Sequence, residues 1–395
     1  MSVALGGRDN PRLRVTPITR NLPEADLASL QHSARVAAFI TEVIRTEDGW
    51  IPFSKYMDLA MFAPGLGYYS AGAAKIGAAG DFTTAPEMSC LFGATLAKQV
   101  AQVLHATGGD VLEFGAGSGK LARDLLGALG HLGCEPRHYL ILEPSPDLRE
   151  RQLSLLHKEI PEFRSHITWI DGMPENFTGV IIANEVLDAM PIDLVAWKAD
   201  GIYQRGVAVS GESFIWQDRM LGPGPLLDHA RSIDVVPGYV SEIHLAGTAF
   251  VRSLGYSLKR GVALLIDYGF LEHEYYHPDR NTGTLMCHYR HRGHTNPFFL
   301  PGAQDITAHV DFSTMIDAAR GVGLDIEGFT TQAKFLIACG ITDQLNKTDP
   351  ANAAQYLPLA NQTQRLLSPA EMGELFKVLA VGRGIDSLLL GFARP

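Results

Sequence analysis

The apolar residues change their spacing several times along the chain, and each change predicts a different element. Between Asp26 and Arg45, Leu27, Leu30, Val36, Phe39, Ile40, Val43 and Ile44 recur every three or four positions, which places one apolar stripe on an α-helix. Ile51 to Phe62 predicts a second short helix after Pro52. Ser89 predicts the cap of a third helix that reaches Leu104, because its hydroxyl can accept from amides left free at a helix start. Between the last two runs APGLGYYSAGAAKIGAAGDFTTAPEMS. Loops of that length are uncommon in compact domains unless they act, so a functional cover is expected.

Asp110–Phe114, Tyr139–Leu142, Ile167–Ile170 and Val180–Ala183 are short apolar runs, and helical spacing fills Lys120–Leu129 and Ser145–His157 between the first three. Strands alternating with helices predict a parallel, doubly wound α/β sheet. From Ile192 to Gln217 the period drops to two, broken at Ala-Asp-Gly and Ser-Gly-Glu, which predicts an inserted antiparallel β meander. A helix over Ser241–Lys259 then leads into the strand GVALLIDYG, and a second insertion, rich in His and Tyr, spans 270–310. Beyond it, Phe312–Ala319 and Pro350–Leu367 read as helices, and Leu324–Thr330 and Lys377–Val381 as strands. The expected layout is a flexible arm (1–25), an N-terminal helical region with a covering loop (26–106), a Rossmann-like core (107–191 and 241–395) and the meander (192–240).

Composition narrows the class. With 46% hydrophobic and 19% charged residues, the 395-residue chain is not of the disordered kind. Its net charge of -10 and scattered basic residues argue against nucleic acid or anionic lipid as partner. Cys90, Cys134, Cys287 and Cys339 form no C-x-x-C pair, so neither a disulfide framework nor a zinc ribbon is expected and a reducing compartment fits. No run nears the ~20 apolar residues that span a bilayer. Arg8, Arg12, Arg14 and Arg20 lack the amphipathic helix of a transit peptide, so a cytoplasmic location is expected, with the mitochondrial matrix the alternative in a eukaryote.

The stretch VLEFGAGSGKLARDLL, residues 111–126, passes from strand to alternating glycines to helix. That arrangement aims free N–H groups and a positive helix end at a ligand. A dinucleotide turn reads G-x-G-x-x-G; Gly115 and Gly117 fit it, but Lys120 holds the third place and Gly119 falls one early. A triphosphate loop reads G-x-x-x-x-G-K-[ST]; here Phe114 stands at its first glycine and Leu121 follows the lysine. Neither template matches. The E-x-G-x-G-x-G form, Glu113 to Gly119, resembles the first motif of S-adenosylmethionine-dependent methyltransferases. That cofactor carries a carboxylate, a sulfonium and a ribose diol, and no phosphate. The turn, Ala116 included, suits the carboxylate. Glu143 ends YLILE 28 residues after Gly115 and suits the diol, which asks for paired acceptors. Asp171, with Gly172 beside it in ITWIDGMP, stands at the end of the third strand and suits the adenine amino group. Each of these carboxylates, taken singly, also fits a solvated strand end.

Four further stretches carry a more specific resemblance: YMDLAMFAPGLGYY (56–69), GDFTTAPEMSCLFG (80–93), ANEVLDAMPIDLV (183–195) and PGAQDITAHVDF (301–312). With the glycine turn and IDYG they resemble the MidA-like family, in order from about residue 35 to 390. The resemblance implies a Rossmann-like S-adenosylmethionine-dependent methyltransferase fold. It also implies a protein substrate, best known in the family as an arginine of a respiratory-complex subunit. It places the amino-acid end of the cofactor on Gly115, Gly117 and Gly119 and the ribose on Glu143. The loop with Asp81, Phe82, Pro86 and Glu87 would cover it, and Asn184-Glu185 would face both cofactor and substrate. Ala116 and Ser118 depart from the Pro and Arg common in the family, as Val186-Leu187 depart from aromatics.

Methyl transfer is an in-line displacement on an activated carbon, so the protein must chiefly position the acceptor. Carboxylates can align a guanidinium bidentately; Glu185 and Asp188 are the candidates, unless they only satisfy amides at a helix start. His309 could accept the released proton, or help cap the helix that begins at Phe312, with Asp311 as its N-cap. Tyr68 and Tyr69 could wall the substrate or lie in the core. Cys287, His288, His291 and His294 gather donors, but Arg290 and Arg292 interleave them, so no metal is expected and a polar lid or partner-binding loop is. Two alternatives keep the cofactor: methylation of another side chain or small molecule, and a non-catalytic assembly chaperone. The meander offers a surface for a homodimer or a platform for substrate.

Overall fold

The computed structural model describes residues 22–71 and 83–393. The arm expected before residue 22 and the covering-loop residues Asp81 and Phe82 lie outside these residues.

Seven strands build a central sheet: β1 (Asp110–Phe114), β2 (Tyr139–Leu142), β3 (Ile167–Ile170), β4 (Phe177–Asn184), β5 (Leu258–Phe270), β6 (Asp325–Thr331) and β7 (Phe376–Arg383). Their order is β6-β7-β5-β4-β1-β2-β3, with the short Val310–Asp311 alongside the end of β5. β1 to β5 are parallel, and β7 runs antiparallel to β5 and β6. The order reverses between β4 and β1, the switch point above which open α/β sheets keep their ligands.

Burial on both faces explains the unbroken apolar runs of these strands. Val180 and Ile182 of β4 pack, with Val262 and Leu264 of β5, toward Leu96 and Leu125 of helices Cys90–Thr107 and Lys120–His131. Ile181 and Ala183 face the other way, with Ala263 and Leu265, toward Leu254 and Met315 of helices Leu245–Ser257 and Phe312–Gly321. Each such Leu or Ile contributes roughly 1.5–3 kcal/mol. Side-chain caps fix the helix starts as their residue types require: Ser89 accepts from the Leu91 amide, Ser145 from Leu148 and Asp311 from Ser313.

A second sheet holds Trp50–Pro52, Asp193–Lys198, Gly201–Ser210, Ser213–Met220 and Val240–Ile243. It corrects two expectations. Val240–Ile243 is a strand paired with Asp193–Ala196, so the inserted sheet reaches Ile243 and the following helix covers only Leu245–Ser257. Trp50–Pro52 pairs with Gly206–Ala208, so the second helix starts at Phe53. In both places ladder bonds to a distant segment outweigh the local spacing. Likewise the single helix expected over Pro350–Leu367 is Ala353–Leu367, preceded by Gln332–Ala338 and Ile341–Leu345.

The His/Tyr-rich insertion forms a three-stranded sheet of Met286–Tyr289, Arg292–His294 and Asp305–Thr307. Ile40, Phe53 and Tyr56 of the N-terminal helices share one core with Leu194 and Val207 of the meander and with Cys287 and Ile306 of this sheet. That core anchors the N-terminal region beside the switch point. No described helix is long and apolar enough to cross a membrane.

Candidate active site

Over the ends of β1, β2 and β4 lies a cavity of about 410 Å³. β1 delivers Glu113 and the turn Gly115-Ala116-Gly117, β2 delivers Glu143, and β4 delivers Asn184 followed by Glu185 and Asp188. Phe62, Tyr69, Thr84, Pro86 and Glu87 close it from the N-terminal region.

Gly115 and Gly117 hold φ of 59° and 54°, a left-handed conformation in which a Cβ costs about 1–2 kcal/mol. Gly119, at φ 87°, is instead the N-cap of helix Lys120–His131 and packs on Gln152. It does not border the cavity, so its expected place on the cavity wall is corrected to a place behind it. Glu87 ties the cover to the turn: Lys120 Nζ donates to its Oε2 at 2.6 Å and the Ser118 hydroxyl donates to its Oε1. The Glu87 side chain keeps only 6% of its surface exposed.

Glu143 is buried, and its carboxylate accepts from the Ser145 amide at 3.0 Å and from Gln152 Nε2 at 3.2 Å. Burial pushes its pKa up, and these donors hold it down. A carboxylate has about four acceptor positions, so two hydrogen bonds leave room for a diol. Glu113 accepts from the Tyr139 hydroxyl at 2.6 Å, and burial pushes its pKa up to about 7. Asp171 departs from expectation. Its side chain is 90% exposed and ion-paired to Arg149 at 2.7 Å, while Arg149 also donates to the Ile170 carbonyl. Arg149 draws it to the surface, and neither Asp171 nor Gly172 borders the cavity.

The other end of the cavity is acidic. Glu185 stands at φ 53°, strained for a residue with a Cβ and typical of functional turns. Its Oε1 accepts from the Ala85 amide at 3.4 Å and from Asn184 Nδ2 at 3.2 Å. Burial, with Asp188 alongside, pushes its carboxyl up to about 8. Asp188 accepts from the Tyr268 hydroxyl at 2.5 Å through Oδ2, while its buried Oδ1 has no hydrogen-bond partner. Burial raises its pKa to about 6 and the Tyr268 hydroxyl opposes the rise. No helix begins here. The Leu187 and Asp188 amides donate instead to Asp267 Oδ2, at 3.0 and 3.2 Å.

Asp267 and Tyr268, in the stretch IDYG, act on the site through Asp188 and its neighbouring amides, a role their local sequence does not mark. Phe250, Met190, Thr84 and Lys120 border the cavity itself, and nothing in their local sequence sets them apart. His309 is not brought to it. Its ring meets Tyr268 edge-on at 5.1 Å, and burial, with Arg280 and Lys377 nearby, depresses its pKa to about 4. It is a neutral packing residue behind Tyr268, which corrects the proton-acceptor expectation. Tyr68 is fully buried, whereas Tyr69 borders the cavity. Cys287 pairs across a hairpin with His294, and the described residues contain no group of three donors fit for a metal.

Lys120 is the one cation along the wall among the described residues, and Glu87 neutralises it. A diphosphate would meet carboxylates at both ends. A cofactor with a carboxylate for the turn, a diol for Glu143 and a cationic centre facing Glu185 fits the residues present. The fold and site thus define a nucleotide-fold methyltransferase that uses S-adenosyl-L-methionine. Residues 95–330 match the family described as S-adenosyl-L-methionine-dependent methyltransferase, and the chain belongs to that family. A solved protein of Burkholderia thailandensis, bound to S-adenosyl-homocysteine, is 50% identical, with a TM-score of 0.92 over 94% of this chain and 98% of its own. Protein arginine methyltransferase NDUFAF7, mitochondrial, of Danio rerio is 29% identical over 84% of this chain and 83% of its own length. The Homo sapiens protein of that name is 26% identical over 84% and 80%.

Proposed function

We propose that this methyltransferase acts on an arginine side chain of a protein. The carrying observation is Asp188, which borders the cavity beside Glu185 and whose buried Oδ1 has no hydrogen-bond partner. No cation is among the groups that shift Glu185, Asp188 or Asp267, so a cationic acceptor would supply the missing charge. The relatives named protein arginine methyltransferases support the same reading.

When bound, the cofactor supplies a methyl group on a sulfonium, already activated for displacement by a nitrogen. Gly115, Ala116, Gly117 and Glu143 hold it, and Pro86 and Glu87 cover it. Glu185 and Asp188 accept from the guanidinium N–H groups, fixing its plane and drawing electron density toward the attacking nitrogen. The N–C bond forms, the C–S pair leaves with sulfur, and the nitrogen's proton passes to Asp188 Oδ1. Asp267 fixes that carboxylate by holding the 187–188 amides.

The test is incubation of the purified chain and radiolabelled S-adenosyl-L-methionine with lysate of cells lacking the chain, followed by mass spectrometry of labelled species. Methylarginine in a protein is expected. Label on a lysine, a small molecule or nothing would overturn the reading.

A further inference from the structure

Resting on that reading, we infer that the acceptor end selects a planar cation by stacking, with Tyr69, oriented by Asp305, setting a preference for guanidinium over ammonium. Phe62 and Tyr69 both border the cavity, and their rings lie 5.6 Å apart at 22°. Tyr68 meets Tyr69 edge-on at 5.1 Å and 79°, so the ring is held from two sides. Its hydroxyl donates to Asp305 Oδ1 at 3.2 Å. Asp305 keeps 2% of its surface exposed and sits on strand Asp305–Thr307, pinned by pairing with Met286–His288.

Burial pushes the pKa of that hydroxyl well up, and three carboxylates add to the rise, Asp305 most strongly, then Asp188 and Glu185. The ring is therefore uncharged, with the Asp305 carboxylate at its hydroxyl edge. A guanidinium complements both features, since its plane stacks on an aromatic face while its five N–H donors point outward in that plane. An ammonium has no plane to stack and holds its water more tightly. Tyr69 of the N-terminal region and Asp305 of the insertion thus add to the recognition that Glu185 and Asp188 of the core supply.

The experiment titrates propylguanidinium and butylammonium into the full chain saturated with S-adenosyl-homocysteine, by calorimetry, for the unaltered protein, Tyr69→Phe, Tyr69→Leu and Asp305→Asn. Thermal stabilisation by S-adenosyl-homocysteine serves as the folding check for each variant. The unaltered chain should favour propylguanidinium by about tenfold. Tyr69→Phe and Asp305→Asn, which lose or weaken the bond between hydroxyl and carboxylate, should both reduce that preference, and Tyr69→Leu should bind both probes equally. Equal binding by the unaltered chain, or an undiminished preference in folded Tyr69→Leu, would overturn stacking and leave arginine methylation standing. Methyl transfer to a group other than arginine in the lysate test would instead remove the reading beneath it.

Discussion

Glu185→Gln should make the ligand-free protein more stable and less active at once. Burial raises the Glu185 carboxyl from 4.5 to about 8, so the folded chain holds this proton more tightly than the unfolded one. Stability is therefore fully present below pH 4.5 and is lost as pH rises from 4.5 toward 8, where the buried group must ionise. At ~1.4 kcal/mol per pH unit, the interval between the two values sets a ceiling of about 5 kcal/mol. Relaxation, the cavity's water and the weakened contacts to Ala85 and Asn184 bring the expected gain down to about 1–2 kcal/mol at pH 8.5. At pH 5 the folded carboxyl is still protonated and the pH lies only just above the unfolded value of 4.5, so little of the difference has developed and the gain should shrink below about 0.5 kcal/mol. Asp188 and Asp267 titrate in both proteins, so the difference isolates Glu185 to first order. The assay is equilibrium urea unfolding of both proteins at the two pH values, with cofactor affinity and methyl transfer measured in parallel. Cofactor binding should persist while transfer is lost. Equal stability at pH 8.5, or a gain that does not depend on pH, would refute the reasoning.

Gly115→Val places a β-branched side chain at φ 59° and 3.4 Å from Val186; it should cost about 1–3 kcal/mol and abolish the thermal shift produced by S-adenosyl-L-methionine, which a differential scan would read. Glu143→Gln keeps the shape but loses the charge, so the cofactor's Kd by calorimetry should rise on the order of tenfold or more. Tyr268→Phe keeps the ring against His309 but removes the hydroxyl that holds down the Asp188 pKa. The acid limb of kcat/KM should then move to higher pH, with cofactor affinity unchanged.

The parallel half of the sheet was legible because burial on two faces leaves strands that are apolar throughout. The runs at 110–114, 139–142 and 167–170 coincide with β1, β2 and β3. Helix starts were legible because Ser89, Ser145 and Asp311 are short side chains able to bond the first free amides. What was hidden depends on partners far along the chain. Val240–Ile243 is a strand only because Asp193–Ala196 lies beside it. Asp267 braces amides 80 and 79 residues earlier, and Asp305 meets Tyr69 across 236. Asp171 and His309 had suitable chemistry for the site, but Arg149 holds the first at the surface and Tyr268 stands in front of the second. Residue type sets what a side chain can do; only the tertiary arrangement sets whether it meets the cavity.

The central claim is that the tips of β1, β2 and β4 converge on one sulfonium-bearing nucleoside. A crystal structure of this chain with S-adenosyl-L-homocysteine tests it most directly. The ribose hydroxyls are expected on Glu143, the amino-acid end against Gly115 to Gly117, and the sulfur facing Glu185 and Asp188. A nucleoside seated elsewhere, or one whose ribose lies away from Glu143, would contradict it.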